Sequence, residues 1–215
     1  MELLYIKILK ELSDNKIDYA LLRKPINWLN IGDLDIIFRK EENIHYKLER
    51  LGYSKKRNSK TYIKYDFFYK KWIYLDLNIP LKFGNQYAQT NLINDLIDNK
   101  YIDDKGINRI NETYEAILTL IHAATNKGYI SFKYRHLIYE NNINESFLGR
   151  YNDELNLSDI YQYLLILRTN SKNEKYILNL IRRKFIKPNL NFINTKFIRI
   201  DRKSTRLNSS HRCIS

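Results

Sequence analysis

The residues best suited to chemistry in this chain are carboxylates set inside apolar runs. Gly32-Asp33-Leu34-Asp35-Ile36-Ile37-Phe38 is one such run, and Trp72-Ile73-Tyr74-Leu75-Asp76-Leu77-Asn78 follows about forty residues later. Asp33 and Asp35 are two apart, and strand side chains alternate between faces, so both project from one side of a sheet. Ionised carboxylates side by side repel each other, and burying them unpaired is costly. A divalent cation relieves both penalties. A third carboxylate on a neighbouring strand would complete an oxygen-ligand set suited to magnesium. Asp76 fits that role, because it shares one face with Tyr74 and Asn78 while Ile73, Leu75 and Leu77 take the other. Asp66, in the preceding run, is the rival third carboxylate. Phosphoryl transfer uses this combination of carboxylates and metal.

These carboxylates need strands to hold them, and the hydrophobic pattern supplies strands in both places. Residues 2–13 repeat apolar side chains at close to a helical period, and residues 14–16 end that helix. Residues 17–22 read as a short buried strand, 23–32 as a loop containing Pro25, Asn30 and Gly32, and 33–38 as a strand. Residues 40–51 form an amphipathic helix stopped by Gly52, and 55–60 a polar, basic turn. The runs 62–69 and 72–79 read as a tight hairpin around Lys70-Lys71, after which Pro80 and Gly84 close this half. Its aromatics, Phe67, Phe68 and Trp72 among them, are expected in the sheet core. From residue 91 the pattern turns helical: 91–99, 112–125 with Asn111 as N-cap and Gly128 just beyond, then 131–140, 158–169 and 172–186. The expected class is α+β, with a small mixed sheet and flanking helices over 1–90 and a mainly helical region over 91–200.

A hydrophobic content of 44% is enough to pack one domain, with or without a helical extension. No run approaches the roughly eighteen uninterrupted apolar residues of a membrane span, and no signal-peptide core opens the chain. The formal charge is +13. Such a balance fits a nucleic-acid or polyphosphate partner, yet the cations are spread along the sequence, as A/T-rich codon usage would spread them. Residues 201–215, DRKSTRLNSSHRCIS, break with the Ile-, Asn-, Lys- and Tyr-rich composition before them. They resemble a translated sequencing-library adapter and are set aside from fold reasoning. The tail carries Arg202, Lys203, Arg206 and Arg212 against Asp201, so the chain ahead of it has a charge of +10. Setting the tail aside also removes the only cysteine, Cys213, leaving neither disulfide nor thiolate metal site, as expected of a cytoplasmic protein.

YALLRK at 19–24, GDLDIIF at 32–38 and YLDLN at 74–78 together resemble the polymerase-β-like nucleotidyltransferase superfamily. More narrowly they are similar to its stand-alone bacterial and archaeal family, with an LLRG-like turn, a DIDLL-like strand and an iDlh-like strand. NETYEAILTLIHAATNKGYISFKYR at 111–135 resembles that family's helical segment, so the likeness spans roughly residues 15–140. The resemblance implies a polymerase-β-like nucleotidyltransferase fold and two magnesium ions held by Asp33, Asp35 and Asp76. It also implies a nucleoside triphosphate substrate such as ATP. Asp33 and Asp35 would bridge the metals, and Asp76 would ligate the catalytic one and accept the acceptor's proton. Where the superfamily has Gly-Ser or Gly-Gly this chain has Arg23-Lys24, whose side chains would take phosphate in place of backbone amides.

His122 reads first as a core histidine on a buried helix. The functional alternative has His122 and Lys127 facing the nucleotide. The expected activity moves a nucleoside monophosphate from a nucleoside triphosphate to a hydroxyl or phosphate, with small-molecule or sugar acceptors favoured over polynucleotides. An antitoxin-type protein AMP-transferase and a non-catalytic nucleotide- or nucleic-acid-binding module of the same fold are the alternatives.

Overall fold

Helix α1 (Glu2–Asp14) forms because Leu4, Tyr5, Ile8, Leu9 and Leu12 fall on one side of a 3.6-residue period, and all five are buried. The computed structural model describes residues 2–25, 33–39, 43–78, 81–84, 86–87, 90–148 and 157–186. The expected loop around Asn30 and Gly32, the helix start at 40–42, Pro80 and the tail at 201–215 lie outside these residues.

After α1 the chain enters β1 (Tyr19–Leu21), which pairs antiparallel with β2 (Leu34–Phe38). Helix α2 (Ile44–Arg50) follows and stops at Gly52, whose φ of 83° a side chain would strain. Strand β3 (Ser54–Lys55) pairs with β4 (Thr61–Asp66), which returns antiparallel as β5 (Lys71–Leu77) through a turn at Phe67–Lys70. A small separate ribbon, β6 (Lys82–Phe83) with β7 (Gln86–Tyr87), leads to α3 (Thr90–Asp98). Then come β8 (Tyr101–Ile102), β9 (Asn108–Arg109), α4 (Glu112–His122), α5 (Phe132–Tyr139), α6 (Leu157–Thr169) and α7 (Glu174–Phe185).

One mixed seven-stranded sheet runs β3-β4-β5-β2-β1-β9-β8. Two of its six strand pairings, β2 with β5 and β1 with β9, are parallel, and they flank the antiparallel pair β1 with β2. The α+β class holds, but the sheet does not end at residue 90. The 101–109 hairpin adds β8 and β9 beside β1, and α3 packs on β1 and β2. Two-residue strands are too short to show a hydrophobic period, so this region reads as helical from sequence. Its turn is set by Asp103 Oδ1, which accepts from the N–H groups of Lys105 and Ile107, both at 3.0 Å.

Alternation along the strands divides the core in two. Tyr19, Leu21, Leu34, Ile36, Phe38, Leu75 and Leu77 face α1 and α2, whereas Ala20, Leu22 and Ile37 face α3 to α7. Asp35 has the parity of Ile37, and Asp76 is out of phase with Leu75 and Leu77, so both carboxylates lie on the face toward the later helices. Among the described residues no helix is long and apolar enough to cross a membrane.

Helix α4 runs through the centre of that second layer, buried continuously from Thr113 to Ile121. Asn111 caps it, accepting from Thr113 N at 2.8 Å, as expected from the sequence. Glu115, 1% exposed, is the one carboxylate inside this stretch. It accepts from Arg109 Nη2 at 2.6 Å, Lys24 N at 2.5 Å and Asn141 Nδ2 at 3.0 Å. Burial pushes its carboxyl pKa up, against the Arg109 guanidinium and the N–H donors that favour its ionised form. Replacing Glu115 by Ala strands the Arg109 cation in the core and is expected to remove about 3–5 kcal/mol of stability. Urea unfolding checks this, and Arg109→Met/Glu115→Leu, which deletes both charges, should recover most of the midpoint.

Candidate functional site

The parallel pairing of β2 with β5 puts Asp35 directly opposite Asp76. Asp66 is excluded as their neighbour. It pairs with Lys71 at the far end of the hairpin and accepts from Tyr69 N in the turn, whereas the near end pairs Thr61 with Asp76. Asp33 precedes β2 with the same parity as Asp35 and reaches solvent. Loss of surrounding water pushes its carboxyl pKa up, and the charges of Asp35 and Asp76 push it further, opposed by Lys133 and Arg23. The three aspartates therefore share one electrostatic site.

Each inner carboxylate has a protein partner. Arg23 Nη2 meets Asp35 Oδ2 at 2.5 Å, and Asn78 Nδ2 lies 3.4 Å from Asp35 Oδ1. Thr61 Oγ1 donates to Asp76 Oδ1 at 2.5 Å and itself accepts from Ser59 Oγ at 2.8 Å. As they stand, no three acidic, histidine or cysteine side chains among the described residues converge into a metal-ligand cluster. The donor chemistry nevertheless fits magnesium: three carboxylates, hard oxygen ligands, one of them with its pKa raised by loss of water and then by two like-charged neighbours, a penalty a cation would relieve.

Arg23 is the second half of the site. Its side chain is 11% exposed, yet Nε and Nη1 are buried without a hydrogen-bond partner among the described residues. A cationic donor left in that state is costly, and an anion bound there would relieve it. The guanidinium also lies 5.2 Å from the Tyr134 ring centroid and borders a cavity of about 30 Å³ lined by Leu22, Asn78, Lys82, Leu118 and His122.

His122 is not an enclosed core histidine. It ends α4 against this cavity, its ring edge-on to Tyr134 at 6.1 Å. Burial lowers its pKa to about 4, helped by Arg23, Lys127 and Lys133 and opposed by Asp35. The imidazole is therefore neutral near pH 7. Asn126 Nδ2 donates to its Nδ1 at 3.1 Å, which leaves the ring proton on Nε2. A π-helical turn, Ala123–Lys127, continues α4 to Gly128 at φ 78° and carries Lys127 exposed at the rim.

Of the residues singled out from sequence, Asp35 lies opposite Asp76 and pairs with Arg23, Arg23 and His122 line one cavity, and Asp33 feels the charges of Asp35 and Asp76, with the charge of Lys127 felt at His122. Lys24 does not join them. Its N–H is taken by Glu115, and its ammonium is felt instead at His136 on α5, whose pKa burial lowers. The aromatics also differ from expectation. Phe67 and Phe68 are 83% and 85% exposed, because the turn lifts them off the sheet, and Trp72 is half exposed beside Tyr65. Thr61, Lys133 and Tyr134 carry no sequence signal for the site; strand register brings in the first, and packing of α5 the other two. Asn78, placed on the Asp76 face by alternation, is there.

Compared with protein families, curated proteins and solved structures, the chain finds no match. The site is read from its own chemistry.

Below pH 6.5 an unfolded chain protonates His122, while the folded one does so only near pH 4. Folding stability is therefore lost as pH falls through that window. His122→Gln should flatten this loss, shifting the unfolding midpoint relative to wild type by roughly 5–10 °C in the variant's favour between about pH 7 and 4.5. Thermal unfolding followed across pH checks this.

Proposed function

We infer that this chain is a magnesium-dependent nucleotidyltransferase of polymerase-β-like fold, moving a nucleoside monophosphate from a nucleoside triphosphate to an acceptor hydroxyl or phosphate. The observation that carries this reading is the in-register pair Asp35 and Asp76, electrostatically coupled to Asp33. Three carboxylates whose charges act on one another repel a triphosphate unless a divalent cation stands between, so a site meant only to bind phosphate has no use for them. Asp33, Asp35 and Asp76 would hold magnesium, which would neutralise their charge and polarise the phosphoryl oxygens.

The remaining groups have separable tasks. Arg23 offers Nε–H and Nη1–H to phosphate oxygens while Nη2 stays on Asp35. The Lys24 amide, committed to Glu115, is not available to phosphate, so side chains rather than backbone cradle the triphosphate here. Thr61 occupies Asp76 Oδ1 and orients Oδ2 to take the proton of the attacking hydroxyl. The acceptor oxygen bonds to the α-phosphorus, the bond from that phosphorus to pyrophosphate breaks, and the proton passes to Asp76. His122, neutral with its proton on Nε2, can donate to a phosphate oxygen without adding charge. Positioning and electrostatics supply the rate, because in-line displacement asks little covalent chemistry of the protein.

Thermal unfolding with each nucleoside triphosphate, with and without magnesium, tests this. At a hundredfold over the dissociation constant, binding adds about 2.7 kcal/mol, a rise of roughly 5–10 °C for a chain of this size. The rise is expected with magnesium and absent in Asp33→Asn/Asp35→Asn; Arg23→Ala should weaken apparent nucleotide affinity at least about tenfold, the loss of one charged hydrogen-bond donor set. A cooperatively unfolding protein that shifts with no triphosphate overturns the reading. Nucleotide binding that persists in the double aspartate variant favours the non-catalytic module.

A further inference from the structure

Spread along the sequence, the cations favour no particular partner, but the fold gathers some of them at the carboxylates. Between Glu49 and Asp66 the chain carries six cations and no carboxylate. Three are engaged within the chain: Arg50 lies over the Tyr46 ring, Lys64 pairs with Glu11 at 3.1 Å, and Lys60 also has a partner. Lys55, Lys56, Arg57 and Lys60 are exposed at the β3–β4 edge of the sheet. The side chains of Lys55, Lys56 and Arg57 have no partner among the described residues.

This turn is the rim of the carboxylate site. Lys56 N donates to Thr61 O at 2.9 Å, and Leu77 N to Lys60 O at 3.2 Å. Ser59 Oγ donates to Thr61 Oγ1, which donates in turn to Asp76. Since Lys55 pairs with Tyr62, Lys56 continues the register opposite Thr61, on the face that carries Asp76. A single lysine suffices to keep an edge strand from pairing with another chain. Three consecutive cations, Lys55, Lys56 and Arg57, with no acidic partner among the described residues, exceed that need and build a positive field beside a site proposed above to take anions.

The chemistry of the turn selects among anionic partners. Residues 54–60 expose no apolar side chain. A protein interface would require a buried anchor there, and membrane attachment an apolar insertion. A phosphodiester backbone asks only for cations and neutral hydrogen-bond donors, and Asn58 and Ser59 add the latter. We propose that the Lys56–Lys60 turn binds the phosphodiester backbone of a single polynucleotide strand and presents its terminal hydroxyl to Asp76. Its acceptor role rests on the transferase reading above; the binding surface does not. The acceptor proposed here differs from the small molecule or sugar favoured by the sequence.

The test is fluorescence anisotropy of labelled single strands, RNA and DNA in parallel, over a salt series. With three phosphates neutralised, the log–log salt slope should be about −2. Lys56→Ala/Arg57→Ala should weaken binding at low salt at least about tenfold and make the slope shallower by about 1.4. The variant's unfolding midpoint should stay within about 1 °C of wild type, as for other exposed substitutions. Absence of strand binding by the wild-type chain, or binding indifferent to the double variant, overturns the proposal. So does polyglutamate of equal charge competing as well as the strands, which would point to an acidic protein. Strand binding through these cations, in a chain that shows no magnesium-dependent triphosphate shift, would keep this surface and remove only the transferase reading.

Discussion

Glu115 ties three separate segments of the molecule to helix α4. From the buried first turn of α4 it holds the turn after β1 through Lys24 N, strand β9 through Arg109, and the segment after α5 through Asn141. Burying a carboxylate this deeply is tolerable only if every lone pair finds a donor, so the three segments must arrive together. Their arrival fixes the start of the loop that carries Arg23. The helical layer and the sheet are thereby registered against each other by one acid, and the candidate site lies at the seam.

The site itself is a set of charges at different degrees of compensation. Asp35 is balanced by Arg23, and Asp76 is steadied by the neutral hydroxyl of Thr61. Asp33 has lost part of its water and feels both charges, and its proton affinity rises accordingly. Arg23 is balanced on one nitrogen and, among the described residues, unpartnered on two. Such a site is half satisfied from within and completed by opposite charges from outside: a cation among the aspartates, an anion on the guanidinium. His122 stays neutral among the neighbouring cations because burial and like charge both resist its protonation. It can therefore lie close to Arg23 without adding to the repulsion.

Much of this arrangement was legible in the sequence. Alternation within 33–38 and 72–78 correctly predicts that Ile73, Leu75 and Leu77 are buried while Tyr74, Asp76 and Asn78 take the other face. The hairpin, the Asn111 cap, the stop at Gly52 and the later helices follow from signals confined to a few residues. Where the reading failed, the signal was short or absent. Strands β8 and β9 have two residues each, too few for any period. Phe67 and Phe68 look like core aromatics because composition cannot say where a strand yields to a turn.

What the sequence determined by itself is therefore local: which segments become strands or helices, which face of each is apolar, and which carboxylates share a face. Backbone alternation and helical period encode those facts directly. Only the tertiary structure decided which strands are neighbours. The choice of Asp76 over Asp66 as the partner of Asp35 depends on the parallel register of β2 with β5. The loss of the Lys24 amide to Glu115 and the approach of Lys133 and Tyr134 depend on α4 and α5 packing over that face. The gathering of the basic turn beside Asp76 depends on β4 returning against β5. Each is a contact between residues far apart in the chain, and such contacts are set by the burial of whole faces rather than by any short run of residues.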